Sequence, residues 1–203
     1  MRKLDKKKLI KKFDKQADKY EKYLQKQQGK MFRSKMFSKA SGKTLEVAIG
    51  AGLNMPYYPK SIELIGVDFS PEMLKKARKA AEQYGIRAKL QLADVEELDF
   101  EENTFDTIVS SGTLCTYQDP LHMLNQFQRW CKPDGQILMI EHGISQFRSI
   151  TWLQNRLNGL AKRAIGCNMN RDIQRLLKDS DLSIEKMDRI MLGSLYLIHA
   201  KPS

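Results

Sequence analysis

Two acidic residues and two glycines carry the first legible chemistry in this sequence. Glu46 lies inside the apolar run 45–49, and Gly50 and Gly52 follow it one residue apart. Asp68 comes 18 residues after Gly50, closing a second apolar run over 62–67. Glycine has no Cβ, so the backbone there can take positive φ and approach a ligand with free N–H groups aimed at it. A carboxylate accepts both hydrogen bonds of a diol, and nucleotide folds set an acid at about this separation against ribose hydroxyls. A carboxylate inside an apolar strand is costly without a partner, which makes Glu46 a candidate for a cationic ligand end. Farther on, Glu141 and His142 follow a further apolar run over 137–140. An imidazole there is suited to accept a proton, with Glu141 bonding the ligand or orienting the ring.

The elements that must position these residues follow from periodicity and breakers. Residues 4–27 lack Gly and Pro and set Phe13, Ala17, Tyr20 and Leu24 at helical spacing, which predicts an amphipathic helix. Met31, Phe32, Met36 and Phe37 predict a short second helix after Gly29. The stretches 45–49, 62–68, 89–92, 105–110 and 136–140 read as strands. Helices are expected between them, one running from Ser70 as N-cap and Pro71 as first helical residue to about Tyr84, another over 120–131. Pro56 and Pro59 enforce a tight turn that carries Tyr57 and Tyr58. A helix over 150–165, a polar break at 166–172, a helix over about 171–178 and two strands near 184–187 and 195–200 complete the chain. Alternation of this kind predicts a mostly parallel sheet covered by helices on both faces.

Active sites of open α/β sheets lie beyond the carboxyl ends of the strands. The pocket for a second ligand is therefore expected from residues 110–117, 141–143, Trp152 and 167–171, flanked by Tyr20, Tyr57, Tyr58, Cys115 and Tyr117. Such a lining is apolar and aromatic, suited to a small or lipophilic molecule rather than a polyanion.

At 203 residues and 41% hydrophobic content, one soluble domain with a sizeable core is expected. The net charge of +11 is unevenly distributed: residues 1–43 hold 16 Lys and Arg against 4 acids, and residues 44–203 hold 19 against 20. The chain thus divides into a basic, amphipathic helical segment over 1–43 and a neutral body over 44–203. The basic segment is read as a packed helix, with peripheral contact to an anionic membrane through residues 1–30 as the further expectation, while nucleic acid is disfavoured. No apolar run reaches membrane-spanning length and no signal-peptide core follows the Lys-rich start, so the cytosol is the expected compartment, extended to the inner face of the membrane. Cys115, Cys131 and Cys167 lack metal or disulfide spacing; reduced thiols and no metal are expected. His122 and His199 read as structural.

The pattern Glu46-x-Ala48-x-Gly50-x-Gly52-x-Asn54 resembles the first motif of class I S-adenosylmethionine (AdoMet) methyltransferases, with Ala48 and Asn54 where the family has glycine. Ala93-Asp94-Val95-Glu96-Glu97-Leu98-Asp99-Phe100, the Phe105-Asp106 opening of a strand, and Arg129-Trp130-Cys131-Lys132-Pro133-Asp134-Gly135 match later motifs of that family in order and spacing. The resemblance spans residues 44–141 and implies a Rossmann-like, seven-stranded, mostly parallel sheet with an antiparallel last strand and an N-terminal helical lid. It implies AdoMet as cofactor and S-adenosylhomocysteine as product. Implied cofactor contacts are Glu46, Ala48, Gly50, Gly52 and Asn54 in the first motif, and Asp68, Phe69 and Met73 after the second strand. Asp94 and Val95 are implied beside adenine, Ser110 and Ser111 at the fourth strand, and Tyr20 on the lid. Fragments such as Glu141-His142-Gly143 and Gly166-Cys167-Asn168-x-Asn170-Arg171-Asp172 resemble a subgroup related to thiol methyltransferases, ubiquinone/menaquinone C-methyltransferases and phospholipid N-methyltransferases. The substrates of that subgroup are diverse, so the acceptor expectation rests on the apolar, aromatic lining instead: a small thiol, amine or quinone-like acceptor, small-molecule or lipid-like, with His142 and Glu141 on the catalytic side.

Rival readings rest on particular residues. A dinucleotide oxidoreductase needs a third glycine, and the sixth position is Met55 counted from Gly50, or Leu53 counted from Ala48. The exocyclic-amine methyltransferases carry a Pro-Pro signature where this chain has Ser110-Ser111-Gly112-Thr113. A three-cysteine arsenite site is disfavoured by Cys131, expected mid-helix, and no residue cluster suggests a magnesium site. A non-enzymatic alternative is a membrane- or RNA-binding protein that keeps the fold as a scaffold.

Overall fold

The computed structural model describes residues 6–203. The first five residues of the basic segment lie outside the described residues. Seven strands form one sheet in the order β3-β2-β1-β4-β5-β7-β6: β1 (Lys43–Val47), β2 (Glu63–Asp68), β3 (Ala88–Leu92), β4 (Phe105–Ser111), β5 (Cys131–His142), β6 (Leu182–Ile190) and β7 (Leu195–Pro202). β1 pairs in parallel with β2 and β4, while β7 runs antiparallel between β5 and β6. The chain order reverses at β1, so the edge beyond β1 and β4 is the switch point at which such sheets bind ligands.

Central strands buried on two faces must be apolar throughout, and successive residues then serve opposite cores. Ile137 and Met139 pack with Ile108 against α4 (Pro120–Trp130) and α6 (Ile173–Asp179). Leu138 and Ile140 pack with Val109 on the other face, where α2 (Lys30–Phe37) and α3 (Pro71–Tyr84) supply Phe37, Leu74, Ala77 and Ala80. Ser70 caps α3 by accepting from the Met73 amide at 3.2 Å, and Gly85 ends it at φ +59°. α1 (Lys6–Gln25) lays its stripe inward: Leu9, Ala17 and Leu24 are buried, and Phe13 stacks edge-on against Phe69 at 5.4 Å. Ser70, the cap of α3, and Lys76 within it hold α1 there, Ser70 donating to Asp14 at 2.6 Å and Lys76 pairing with Asp18 at 2.8 Å and Glu21 at 2.6 Å. Among the described residues no helix is long and apolar enough to cross a membrane.

Two boundaries differ from expectation. β1 ends at Val47 rather than 49, because Ala48 adopts φ +47° and the ligand turn begins there. Cys131 is not mid-helix: α4 stops at Trp130, and Cys131, in extended conformation, opens β5 opposite Phe105.

α5 (Arg148–Ile165) behaves differently from α1. Trp152, Leu153, Leu157 and Leu160 are 62%, 48%, 40% and 64% exposed, so its apolar stripe faces outward.

Candidate active site

The turn after β1 brings the first-motif residues together. Glu46 is buried, and its two carboxylate oxygens accept from Asn54 Nδ2 at 2.6 Å and Tyr58 Oη at 2.8 Å. Burial pushes its carboxyl up to about 7, against these hydrogen bonds and the nearby Arg33 charge. Arg33, carried inward by α2, donates to Asn54 Oδ1 and to Ser111 Oγ, the latter at 3.0 Å. Sequence reasoning missed this residue, because a lone arginine in a basic segment looks like every other cation there. Gly50 sits at φ +58°, and a Cβ on it would meet nothing nearer than the Ala48 carbonyl oxygen at 4.0 Å, so its open side is free for a ligand. Gly52, at φ +79°, packs closely on Met55 and Ala80 instead.

Asp68 ends β2 and is 6% exposed; Oδ2 accepts from the Gly50 amide at 2.8 Å and Oδ1 from the Ser70 amide at 2.8 Å. Burial raises its carboxyl to about 6. Asp68, Phe69, Asp94, Val95 and Tyr117 share one cleft with Ala48. Its free volume is about 30 Å³, too little for an adenosine, because Lys6 and Leu9 of α1 stand in it. Lys6 is ion-paired with Asp94, the acid expected beside adenine, and with Glu97 at 2.7 Å. Met73 is buried under α1 with Ala17 and Ala51.

On the other side of the β4 carboxyl end lies a cavity of about 500 Å³ between α1, α2 and the end of α5. Its apolar wall includes Phe13, Tyr20, Phe32, Ile140, Ile165 and Leu195, and its polar groups include Arg33, Ser111, Cys115, His142 and Cys167. Burial pushes the Tyr20 phenol up to about 12, so it remains neutral. Cys167 Sγ lies 3.0 Å from His142 Nε2. Cys115 joins them, the three donor atoms all lying within 4.8 Å of one another. The hydrogen bond from Cys115 lowers the Cys167 pKa against its burial, with His142 and Arg171 acting in the same direction, and the Cys115 pKa rises correspondingly.

Several expected wall residues are elsewhere. Trp152 points to solvent, Tyr58 is turned onto Glu46, and Tyr117 belongs to the Asp68 cleft. Glu141 is fully buried and does not reach the cavity. It accepts from Ser110 Oγ at 2.6 Å and from the amides of Thr113 at 2.9 Å and Leu114 at 3.1 Å, which shapes the loop after β4. Cys131 stands apart, its thiol bonded to the Gln136 carbonyl. No spacing in the chain pointed to the cluster of Cys115, His142 and Cys167, which the fold gathers from three separate segments.

These features suit AdoMet: buried Asp68 sits against the Gly50 turn, whose Cβ side is open, and Arg33 brings a cation to the cavity wall near buried Glu46. Residues 45–139 match the model of a family described as a methyltransferase domain. The chain is 28% identical to a phosphatidylethanolamine N-methyltransferase of Cereibacter sphaeroides over 157 residues, covering 76% of this chain and 77% of that protein. It is 31% identical to the mitochondrial methyltransferase OMS1 of Saccharomyces cerevisiae over 215 residues, 93% of this chain but 45% of the relative. A ubiquinone/menaquinone biosynthesis C-methyltransferase of Geotalea daltonii is 31% identical over 113 residues, 53% of this chain and 48% of the relative. The chain therefore spans about three quarters of the first relative and about half of the other two. In fold it is similar to a chain of the complex between the Haloferax volcanii Trm112 methyltransferase activator and a putative methyltransferase, with TM-score 0.73 and 18% identity over 94% of this chain and 98% of that one. A putative AdoMet-dependent methyltransferase of Methanococcus maripaludis gives TM-score 0.66 and 19% identity over 94% and 93%.

Proposed function

The chain belongs to the class I AdoMet-dependent methyltransferases, and from that premise we propose that it methylates a small or lipophilic acceptor, a thiol, amine or quinone-like ring, held in the 500 Å³ cavity. The observation that carries this reading is the lining of that cavity. Among the described residues on its wall, Arg33 is the one Lys or Arg and no acid is present, while Phe13, Tyr20, Phe32, Ile140, Ile165, Met191 and Leu195 supply apolar surface. A polyanion such as RNA needs a row of cations at the cleft, whereas a compact apolar molecule gains by leaving water there.

Bound AdoMet supplies a methyl group on a sulfonium. In this reading Asp68 binds the ribose diol, and the amides of the Gly50 turn approach the amino-acid end. Glu46 meets its ammonium and Arg33 its carboxylate. Asp94 reaches the adenine amino group once Lys6 releases it. On the acceptor side, His142 and Cys167 stand together among the cavity's polar groups, where a nucleophile bound against the apolar wall would meet them. Glu141 sets the Thr113 and Leu114 loop that carries Cys115.

A second observation favours a lipophilic acceptor. α5 carries Arg148, Arg156, Lys162 and Arg163 beside its outward apolar stripe, with no acid between residues 142 and 171. An exposed apolar stripe flanked by cations is the signature of a helix lying in a membrane interface. Lys12 of α1 donates to the Lys162 carbonyl at 3.3 Å, which joins the lysine-rich helix to this face. Ile165, at the end of α5, lies on the cavity wall, so this face adjoins the acceptor cavity. The membrane contact is thus assigned to α5, with α1 contributing charge. Relatives named for a phospholipid amine and a quinone pathway agree with an acceptor of this type.

The test is a screen of acceptor classes with labelled AdoMet. Transfer to small thiols, amines or quinols is the expected result; transfer confined to RNA or protein would sink the proposal.

A further inference from the structure

We propose that Cys115, His142 and Cys167 form a three-ligand site for zinc whose fourth position faces the acceptor cavity and takes a thiol. This rests on reading that cavity as the acceptor site, and it narrows the acceptor to molecules with a sulfur ligand.

Three residues from three separate segments supply two sulfurs and one imidazole nitrogen, with no carboxylate among them. Thiolate and imidazole donors select borderline-soft metals such as zinc over magnesium or calcium. A tetrahedral zinc with ordinary bond lengths holds such donors about 3.5–3.8 Å apart. The observed set lies within 4.8 Å, with His142 Nε2 and Cys167 Sγ at 3.0 Å, so adjustments of about an ångström in side-chain position bring it to that geometry.

The backbone around the ligands is tied together, which distinguishes a built site from a chance encounter. Asn168, next to Cys167, gives both its amide (3.1 Å) and its side-chain nitrogen (3.0 Å) to the carbonyl of Cys115. Gln154, itself buried, donates from Nε2 to the carbonyls of Gly143 at 2.9 Å and Met169 at 3.2 Å, and so clamps the residue after His142 to the Cys167 segment. The Ile144 amide adds a 2.8 Å bond to the Arg171 carbonyl. Supporting hydrogen bonds of this kind hold metal ligands in place before the metal arrives.

All three ligands line the same cavity, so a fourth position opens into it. Zinc sites with three protein ligands keep that position for a water or substrate. Two thiolates and a neutral imidazole balance the 2+ charge. A thiol entering the fourth position displaces the water, forms the metal–sulfur bond and loses its proton to solvent.

The experiment uses the full chain, purified with chelator and a phosphine reductant and then titrated with Co²⁺ as a spectroscopic probe. One equivalent should bring up thiolate-to-cobalt charge transfer and tetrahedral d–d bands, both lost when Zn²⁺ is added. Cys115→Ser and Cys167→Ser should each weaken binding by at least ~100-fold. Cys131→Ser should leave it unchanged, and AdoMet calorimetry on each variant reports whether the fold persists. Added 2-mercaptoethanol should shift the charge-transfer band. Absence of that band, wild-type metal affinity in either serine variant, or a spectrum indifferent to the thiol would each overturn the proposal. Loss of metal binding with small-acceptor methylation intact would refute the zinc site alone, whereas a loaded site with no small-molecule methylation would refute the acceptor reading.

Discussion

Around Glu46 and Asp68, partners come mostly from close by in the chain: Asn54 and Tyr58 lie 8 and 12 residues from Glu46, and Ser70 and Gly50 lie 2 and 18 residues from Asp68. Around the acceptor cavity the separations are longer, 25 residues from His142 to Cys167 and 53 from Cys115 to Asn168. The proposed cofactor half rests on one strand-turn-strand unit whose spacing is its geometry, with Arg33 and Asp94 added from other segments. The acceptor half exists only after β7 has inserted beside β5 and the 166–172 loop has folded back over the sheet. In the proposed reading the first can be shared by enzymes of many substrates, and the second is where a particular acceptor would be chosen.

Substitution at Asp68 tests that division most strongly. Hydrogen bonds to a charged group contribute about 1.5–3 kcal/mol each, so Asp68→Ala, which would remove two to the ribose, should weaken AdoMet on the order of 100-fold or more by calorimetry. His142→Ala should change AdoMet affinity less than about twofold while impairing turnover. Comparable losses of cofactor affinity in both variants would mean that the two halves are not separate.

Glu46 gives the next largest effect, through pH. Its carboxyl is held at about 7 by burial, above the ordinary 4.5, so the free protein favours the protonated form. That contribution to stability is complete below pH 4.5 and is lost as pH rises through 7. An ammonium partner prefers the ionised form, so AdoMet affinity should fall about tenfold per unit as pH drops below 7. Over the same range the thermal upshift caused by AdoMet should grow with pH. Glu46→Gln should flatten both profiles; an unchanged slope would assign the pH dependence to another group.

Legibility in the sequence follows the same division. The strands, the Ser70-Pro71 helix start and the Gly85 stop were readable because each is decided by a few neighbouring residues. The placing of Asp68 against the Gly50 turn was readable for that reason, while the cofactor roles proposed for them and for Asp94 rest on spacing and the family pattern. The convergence of Cys115 with His142 and Cys167 was not readable, since it depends on tertiary closure and leaves no spacing in the chain. Trp152 was misplaced because periodicity identifies an apolar stripe but not what covers it. α1 and α5 both have such a stripe, and one is packed while the other is bare. Arg33 was hidden in a segment where charge alone gives no orientation.

That contrast between α1 and α5 has its own test. Trp152 is exposed and Trp130 fully buried, and the chain has two tryptophans, so emission reports directly on α5. Anionic vesicles at low salt should shift the emission to the blue, and added salt should reverse it. Each basic residue near a lipid surface contributes about 1 kcal/mol, so Arg156→Glu should lower vesicle affinity about tenfold or more. Neutral vesicles should give little response. Binding that persists in Trp152→Ala and Arg156→Glu but vanishes on charge reversal of α1 lysines would return the membrane contact to α1.

The smallest effect concerns Lys6, where the two halves meet under α1. Its ion pair with Asp94 joins a side chain 33% exposed to one 10% exposed, a setting in which such pairs contribute about 1 kcal/mol or less. The pair lies across the Asp68 cleft and, with adenine placed at Asp94 as proposed, would have to open for it, so it would compete with cofactor. Removing a competitor worth that much raises the binding-competent fraction by at most about fivefold. Lys6→Ala should therefore tighten AdoMet severalfold, chiefly through faster association, with little change in the acceptor KM. If the variant instead bound AdoMet more weakly with faster dissociation, Lys6 would be a clasp over the bound cofactor rather than a latch on the empty cleft, and α1 would belong functionally to the cofactor half.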